Sequence, residues 1–157
     1  MDRLSPDQRS LVMSRIRNRD TKPERFVRRR IWSEGFRYAR SRRKLPGTPD
    51  LILPRYGVVV FVHGCFWHAH DCPRGRLPAT NRKFWRAKLA ENRKRDRRVI
   101  RQLRRLGWRC FQIWQCRLQA DTQRVITRLK AIRLDYMSRE RAAQEKRSGR
   151  KGRYTAG

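Results

Sequence analysis

Apolar residues near the middle of the chain fall into two short runs, Leu51–Leu53 and residues 58–62, separated by Pro54-Arg55-Tyr56-Gly57. Runs of that length on either side of a proline-glycine turn predict a β-hairpin. Downstream the period changes. Trp85, Leu89, Asn92, Asp96, Val99, Leu103 and Leu106 recur at alternating steps of four and three. That is the stripe of a long amphipathic helix, opened by Thr80-Asn81 and stopped at Gly107. Residues 108–116 are rich in aromatics and bounded by turns, which predicts a buried strand. Asp121 then caps a last helix with Val125, Ile126, Leu129, Ile132 and Tyr136 on one face.

Upstream, the polar positions carry the signal. Ser5-Pro6 sets a side-chain cap before a proline at the first helical position, predicting an arginine-bearing helix over about residues 5–18 with Leu11, Val12 and Ile16 as its apolar side. Thr21-Lys22-Pro23-Glu24 is a capping box, in which Thr21 accepts from the Glu24 amide while Glu24 reaches back. The helix it opens buries Phe26, Val27 and Ile31 and ends at Gly35, a left-handed stop. Residues 36–39 read as an edge strand before a loop over 40–49. The order of elements predicts a single α/β domain over residues 1–137, a mixed sheet flanked by helices. Residues 138–157 have the composition of a basic, disordered tail.

Charge changes the picture from fold to partner. With 43 lysines and arginines against 13 acids the net charge is +30, and 157 residues support only one domain with a real core. The tail holds seven basic and two acidic residues, so removing it lowers the charge only from +30 to +25. An excess built into the folded part points to a phosphate polymer, hence to nucleic acid. No apolar run approaches spanning length and no basic amphipathic helix stands apart, which argues against a membrane partner. Met1-Asp2-Arg3-Leu4-Ser5-Pro6 lacks the apolar stretch of a secretory signal, so the expectation is a reducing, cytoplasmic location.

In such a compartment four cysteines suggest metal before disulfides. Residues 61–72, F-V-H-G-C-F-W-H-A-H-D-C, hold all three histidines (His63, His68, His70) and two of the cysteines. Cys65, His70 and Cys72 supply three ligands of a tetrahedral structural zinc site, with Cys116 as a fourth that staples the loop to the later strand. Spacing alone leaves His68 and Cys110 as competitors, and two disulfides as the other use of the thiols. Asp50, opening the first strand, offers oxygen to a hard cation of the kind phosphoryl transfer uses, or else caps a turn. Pro49-Asp50, ten residues, then Phe61-Val62-His63 resembles the bipartite signature of restriction-endonuclease-like nucleases, with Phe61 and His63 standing where that signature has an acid and a lysine. Asp96 interrupts an inward stripe, as a site residue or half of an ion pair. Glu24, on residue type alone, is a cap.

The departure matches one family. R-S-x-x-M-S-R-I at residues 9–16, D-T-K-P-E at 20–24, L-P-G-T-P-D at 45–50, the histidine-cysteine stretch, P-A-T-N at 78–81, Phe84-Trp85, E-N-x-x-R-D at 91–96, L-G-W-R and W-Q-C ending at Cys116 follow in order. In these the chain resembles the very short patch repair endonucleases, the bacterial T:G mismatch nickases.

The resemblance implies a restriction-endonuclease-like core that nicks DNA 5′ to the thymine of a T:G mismatch left by deamination of 5-methylcytosine. Asp50 and the backbone carbonyl of Val62 would hold catalytic magnesium, His63 would be the general base, and His68 would assist at the phosphate or leaving oxygen. Asp96 and Glu24 would orient waters or the histidine. Zinc would be held by Cys65, His70, Cys72 and Cys116. Phe66, Trp67 and Trp85 would wedge into the duplex, and the first helix would clamp its backbone. The family usually has threonine at Val62, a change that a backbone carbonyl ligand survives. A MutL-type repair protein and a cytosine-5 methyltransferase are the implied neighbours, with the enzyme itself a monomer. A restriction-like nuclease without mismatch preference, or a non-catalytic zinc protein that binds DNA, are the alternatives.

Overall fold

The computed structural model describes residues 20–39 and 45–151, with side chains through residue 147. The helix expected over residues 5–18 lies outside the described residues. Strands β1 (Leu51–Leu53) and β2 (Val58–His63) form the hairpin, with Leu51 opposite Val60 and Leu53 opposite Val58. Between them Pro54–Tyr56 make one 3-10 turn, closed by Gly57 at φ 60°, a conformation that costs glycine least. Strand β3 (Arg109–Trp114) runs parallel to β2, Val58 facing Arg109 and His63 facing Trp114, so the sheet order is β1-β2-β3. A parallel partner cannot be reached by a tight turn, and the crossover is a helix.

Three helices cover this sheet among the described residues: α1 (Lys22–Ser33), the crossover α2 (Arg82–Arg105) and α3 (Leu118–Lys151). Strand alternation sorts the side chains between them. Leu51, Leu53, Val58, Val60 and Ile113 pack with Val27 and Ile31 of α1 and Val125, Ile126 and Leu129 of α3. Ile52, Val59 and Phe61 face the other way, onto Leu103 of α2 with Val99 partly buried beside it. The architecture is a mixed α/β sandwich with the sheet at its centre.

Four sequence expectations change. The strand expected over residues 36–39 reduces to one antiparallel bridge, Ala39 with Ile52, because β1 is only three residues long and offers no further partner. Leu106 is 61% exposed, since α2 has ended and the chain turns away at Gly107. Asp121 does not cap α3, which begins earlier, at Leu118, out of a 3-10 turn. Its buried carboxylate accepts from the Trp114 amide at 3.0 Å and so terminates β3 instead. In place of a disordered tail from Arg139, α3 continues to Lys151. The alanines, glutamates, glutamine and arginines there are strong helix formers without any apolar face, and Glu140 reaches back to Arg55 at 3.3 Å. No helix among the described residues is long and apolar enough to cross a membrane.

Candidate active site and thiol cluster

The C-terminal end of β2 collects the chemistry. Asp50 immediately precedes β1, where its amide donates to the Val60 carbonyl at 3.0 Å and its Oδ2 accepts from the Val62 amide at 2.7 Å. The carboxylate is thereby turned onto the edge of β2. Burial pushes its pKa up to about 6, with Glu24 pushing the same way and the Val62 amide, Arg28 and His68 opposing. A carboxylate that is costly to ionise beside a second one is a site prepared for a cation.

His63 is the last residue of β2 and 5% exposed. Its ring lies 3.9 Å from that of His68, 5.8 Å from Phe61 and 5.1 Å from Trp114. Burial, then the charges of His68 and Arg95, bring its pKa down to about 3 against the pull of Asp96. It is therefore a neutral imidazole at physiological pH, with a lone pair to offer. His68 Nδ1 lies 2.6 Å from Asp96 Oδ2, which explains the acid in the stripe of α2. Burial alone raises the Asp96 carboxyl, but the hydrogen bond and charge of His68 outweigh it and hold the group below its ordinary value.

Glu24 does more local work than the capping box anticipates. Its carboxylate accepts from Thr21 Oγ1 at 2.8 Å, from the Asp20 amide at 2.9 Å and from Arg28 Nη1 at 3.4 Å, while buried Arg28 also pairs with the Asp20 carboxylate. The start of α1 also brings this acid near enough to Asp50 for its charge to help raise that carboxyl.

Beyond β2 the chain doubles back in a tight loop. Amides of His68, Ala69 and His70 donate to the carbonyls of Gly64, Phe66 and Cys65, and Ala69 takes φ 48°, a left-handed position for a residue with a Cβ. One side of the loop delivers His68 to Asp96 and the other delivers His70 to the sulfurs. One ligand atom each from Cys65, His70, Cys72 and Cys116 lie within 4.8 Å of one another, and the three cysteines are free thiols with no disulfide. A tetrahedral zinc with sulfur at about 2.3 Å needs ligand atoms roughly 3.8 Å apart, so this donor set fits zinc with small adjustments. Burial pushes the Cys65 thiol up to about 11, while the hydrogen bond from His70 brings Cys72 down to about 7. The two competitors lie outside this cluster: His68 pairs with Asp96, and Cys110 packs at the edge of the Ile52–Val59 core with its thiol toward the Trp108 carbonyl.

Gly75 closes this loop, its amide donating to the Cys72 carbonyl at 2.8 Å. A Cβ there would stand 1.9 Å from the His70 carbonyl oxygen, a backbone atom with little freedom to move. Gly75→Ala is expected to destabilise the protein by about 1–3 kcal/mol and to lower its zinc content, checked by thermal denaturation and metal analysis.

Phe66, Trp67 and Trp85 form an edge-to-face cluster, with centroids 5.1 Å apart for Phe66–Trp67, 5.0 Å for Phe66–Trp85 and 6.0 Å for Trp67–Trp85. All three are partly exposed, and neighbouring Phe84 is 60% exposed. Sequence reasoning missed the residues that hold these groups. Asn92, the polar break in the α2 stripe, donates to the Trp67 carbonyl at 3.0 Å. Trp114 stacks on His70 at 4.2 Å and flanks His63. Gln112 Nε2 lies 3.1 Å from His63 Nε2. A polar residue inside an aromatic strand was the available signal for Gln112.

The model of the family described as DNA mismatch endonuclease Vsr matches residues 1–74. A type II nicking enzyme of Xanthomonas oryzae pv. oryzae, V.XorIIP, is 44% identical over 131 residues, 83% of this chain and 96% of the relative. The type II nicking enzyme V.NmeAIP of Neisseria meningitidis is 38% identical over 118 residues, 75% of this chain and 84% of the relative. The DNA mismatch endonuclease Vsr of Escherichia coli is 40% identical over 111 residues, 71% of each chain. With these relatives matched across most of their own length, and motifs, fold and site in agreement, the chain belongs to the Vsr DNA mismatch endonuclease family.

Proposed function

We propose that this chain is a DNA mismatch endonuclease that nicks one strand 5′ to the thymine of a T:G pair left by deamination of 5-methylcytosine, and so starts very short patch repair. One observation carries the reading: a half-buried carboxylate, Asp50, is held by the Val62 amide next to His63, whose ring lies against a His68–Asp96 pair. Asp50 and the Val62 backbone carbonyl would hold magnesium, for which a desolvated acid with a second acid nearby is suited. When bound, magnesium supplies charge neutralisation at the scissile phosphate. His63 takes the proton of the attacking water as general base. His68, its ring fixed by Asp96, serves the phosphate or leaving oxygen, and Glu24 and Asp96 orient the groups around them. Cys65, His70, Cys72 and Cys116 would hold a structural zinc that shapes the loop.

The substrate follows from charge and aromatics. A net charge of +30 suits the duplex backbone. Phe66, Trp67 and Trp85 are available to wedge between base pairs, at a cost of a few kcal/mol that is least at a weak T:G wobble. A cytosine-5 methyltransferase creates the lesion's precursor, and with a MutL-type protein is the proposed neighbour of a monomeric, cytoplasmic enzyme. The names of the nicking relatives favour a second reading, a restriction-linked nickase indifferent to mismatch.

The test is strand-specific nicking of a labelled duplex holding one T:G pair, beside T:A and C:G controls, with magnesium and with chelator. A magnesium-dependent nick 5′ to the mispaired thymine is expected. Equal cutting of all duplexes favours the second reading, and tight binding without cutting in any flanking sequence leaves a zinc-containing DNA binder.

A further inference from the structure

We propose that His63, His68 and Asp96 together form a second transition-metal site, separate from the thiol cluster, which takes a borderline divalent cation such as Zn2+ and thereby switches the enzyme off. One ligand atom from each lies within 4.8 Å of the other two. His68 Nδ1 and Asp96 Oδ2 are already 2.6 Å apart, and the His63 ring is 3.9 Å from that of His68. Two imidazoles and one carboxylate are a donor set that binds first-row transition ions through nitrogen, with open positions left for water. Magnesium, which demands oxygen ligands, has no such affinity for it.

Access and competition follow from the surroundings. His63 closes the floor at 5% exposure, whereas the side chains of His68 and Asp96 are 21% and 19% exposed, so an ion enters from their side. Arg95 Nη2 stands 3.6 Å from Asp96 Oδ1 and disfavours a further cation. The thiol cluster has three sulfurs and one imidazole, and therefore fills first. On binding, the ion takes the place of the hydrogen bond between His68 Nδ1 and Asp96, and the neutral imidazole carries its proton on Nε2 instead. The lone pair of His63 is then committed to the metal and His68 is no longer available to the phosphate. Inhibition rests on the roles proposed for these histidines; metal binding rests on the geometry alone.

The experiment separates the two. Zinc uptake at saturation is measured for the wild-type protein, His68→Asn and Asp96→Asn by equilibrium dialysis, and cobalt titration is followed by absorption. The wild-type protein should take up about one equivalent more than either variant. The additional cobalt should add visible bands without further sulfur-to-metal charge transfer. Equal uptake by all three proteins, or charge transfer growing with the second equivalent, would overturn the site. In nicking assays that second equivalent should abolish wild-type cleavage, and tenfold more magnesium should not restore it. Unimpaired cleavage at full occupancy would overturn the switch while leaving the site. Differential uptake by a protein that never nicks would instead overturn the proposed function alone.

Discussion

Asp50→Ala is expected to lower mismatch cleavage by about 10³-fold or more while leaving duplex affinity within a few fold, because on the proposed role several kcal/mol of transition-state stabilisation would pass through that carboxylate. Affinity comes from elsewhere, from the surplus of arginine and lysine over the whole chain. Single-turnover nicking and an equilibrium binding titration, run on the same T:G duplex, read the two effects separately. A variant that still cut at a tenth of the wild-type rate would remove Asp50 from the metal site. Loss of binding in step with cleavage would mark a folding defect instead.

On the proposed role the same residue would set the acid limit of activity. Its carboxyl, raised from 3.8 to about 6, gains a proton as pH falls through 6, and proton and magnesium would then compete for one group. Cleavage should decline below pH 6, and the limit should move to lower pH as magnesium is raised. Stability responds with the opposite sign. Between 3.8 and about 6 the folded protein holds a proton that the unfolded chain has released, so the contribution of Asp50 is present at low pH and lost as pH rises through 6. In metal-free protein at neutral pH, Asp50→Asn should therefore stabilise by on the order of 2 kcal/mol, although it inactivates. His63 runs the other way: with its pKa brought down to about 3, the folded state loses stability as pH falls below the ordinary imidazole value of 6.5.

These residues were legible in the sequence to very different degrees. The hairpin and the crossover helix could be read because apolar period and turn chemistry agree at Leu51–Leu53, Pro54–Tyr56 and Gly57. Asp96 was legible as an anomaly, an acid on an inward stripe, but its partner His68 is 28 residues away and only the folded loop joins them. The fourth cysteine of the cluster could not be chosen over Cys110 by spacing, and the choice of Cys116 leaned on the family resemblance. The fold gives the physical reason: Cys110 sits within β3 and packs at the core edge, whereas Cys116 lies beyond its end. Asp121 misled because an acid before an apolar stripe looks like a helix cap wherever the helix actually begins. The first half of α3 announced itself through Val125, Ile126, Leu129 and Ile132, whereas its continuation beyond Arg139 had no apolar period, only the propensity of its residues.

Loss of the thiol cluster should be as damaging as loss of Asp50, though the role proposed for its sulfurs is structural. Cys116→Ser is expected to release zinc, to lower stability by at least about 3 kcal/mol given the much larger free energy of structural zinc sites, and to abolish nicking. For a chain of this size that corresponds to a fall in Tm of roughly 6–12 °C. The cause is the wiring of one loop. Phe66, Trp67 and His68 lie between Cys65 and His70, and Cys116 ties that run to the far end of β3. Ala69, held left-handed at φ 48°, is a strained residue that the bound loop must over-determine. Freed of the staple, the loop would relax there, and the histidine at Asp96 and the aromatic wedge would be lost together. Cys110→Ser is the control, since that thiol faces the core and should cost some stability without changing zinc content. Metal analysis, thermal denaturation and nicking on the two variants decide the matter: a Cys116→Ser protein that kept its zinc would show that the loop is closed by some other ligand.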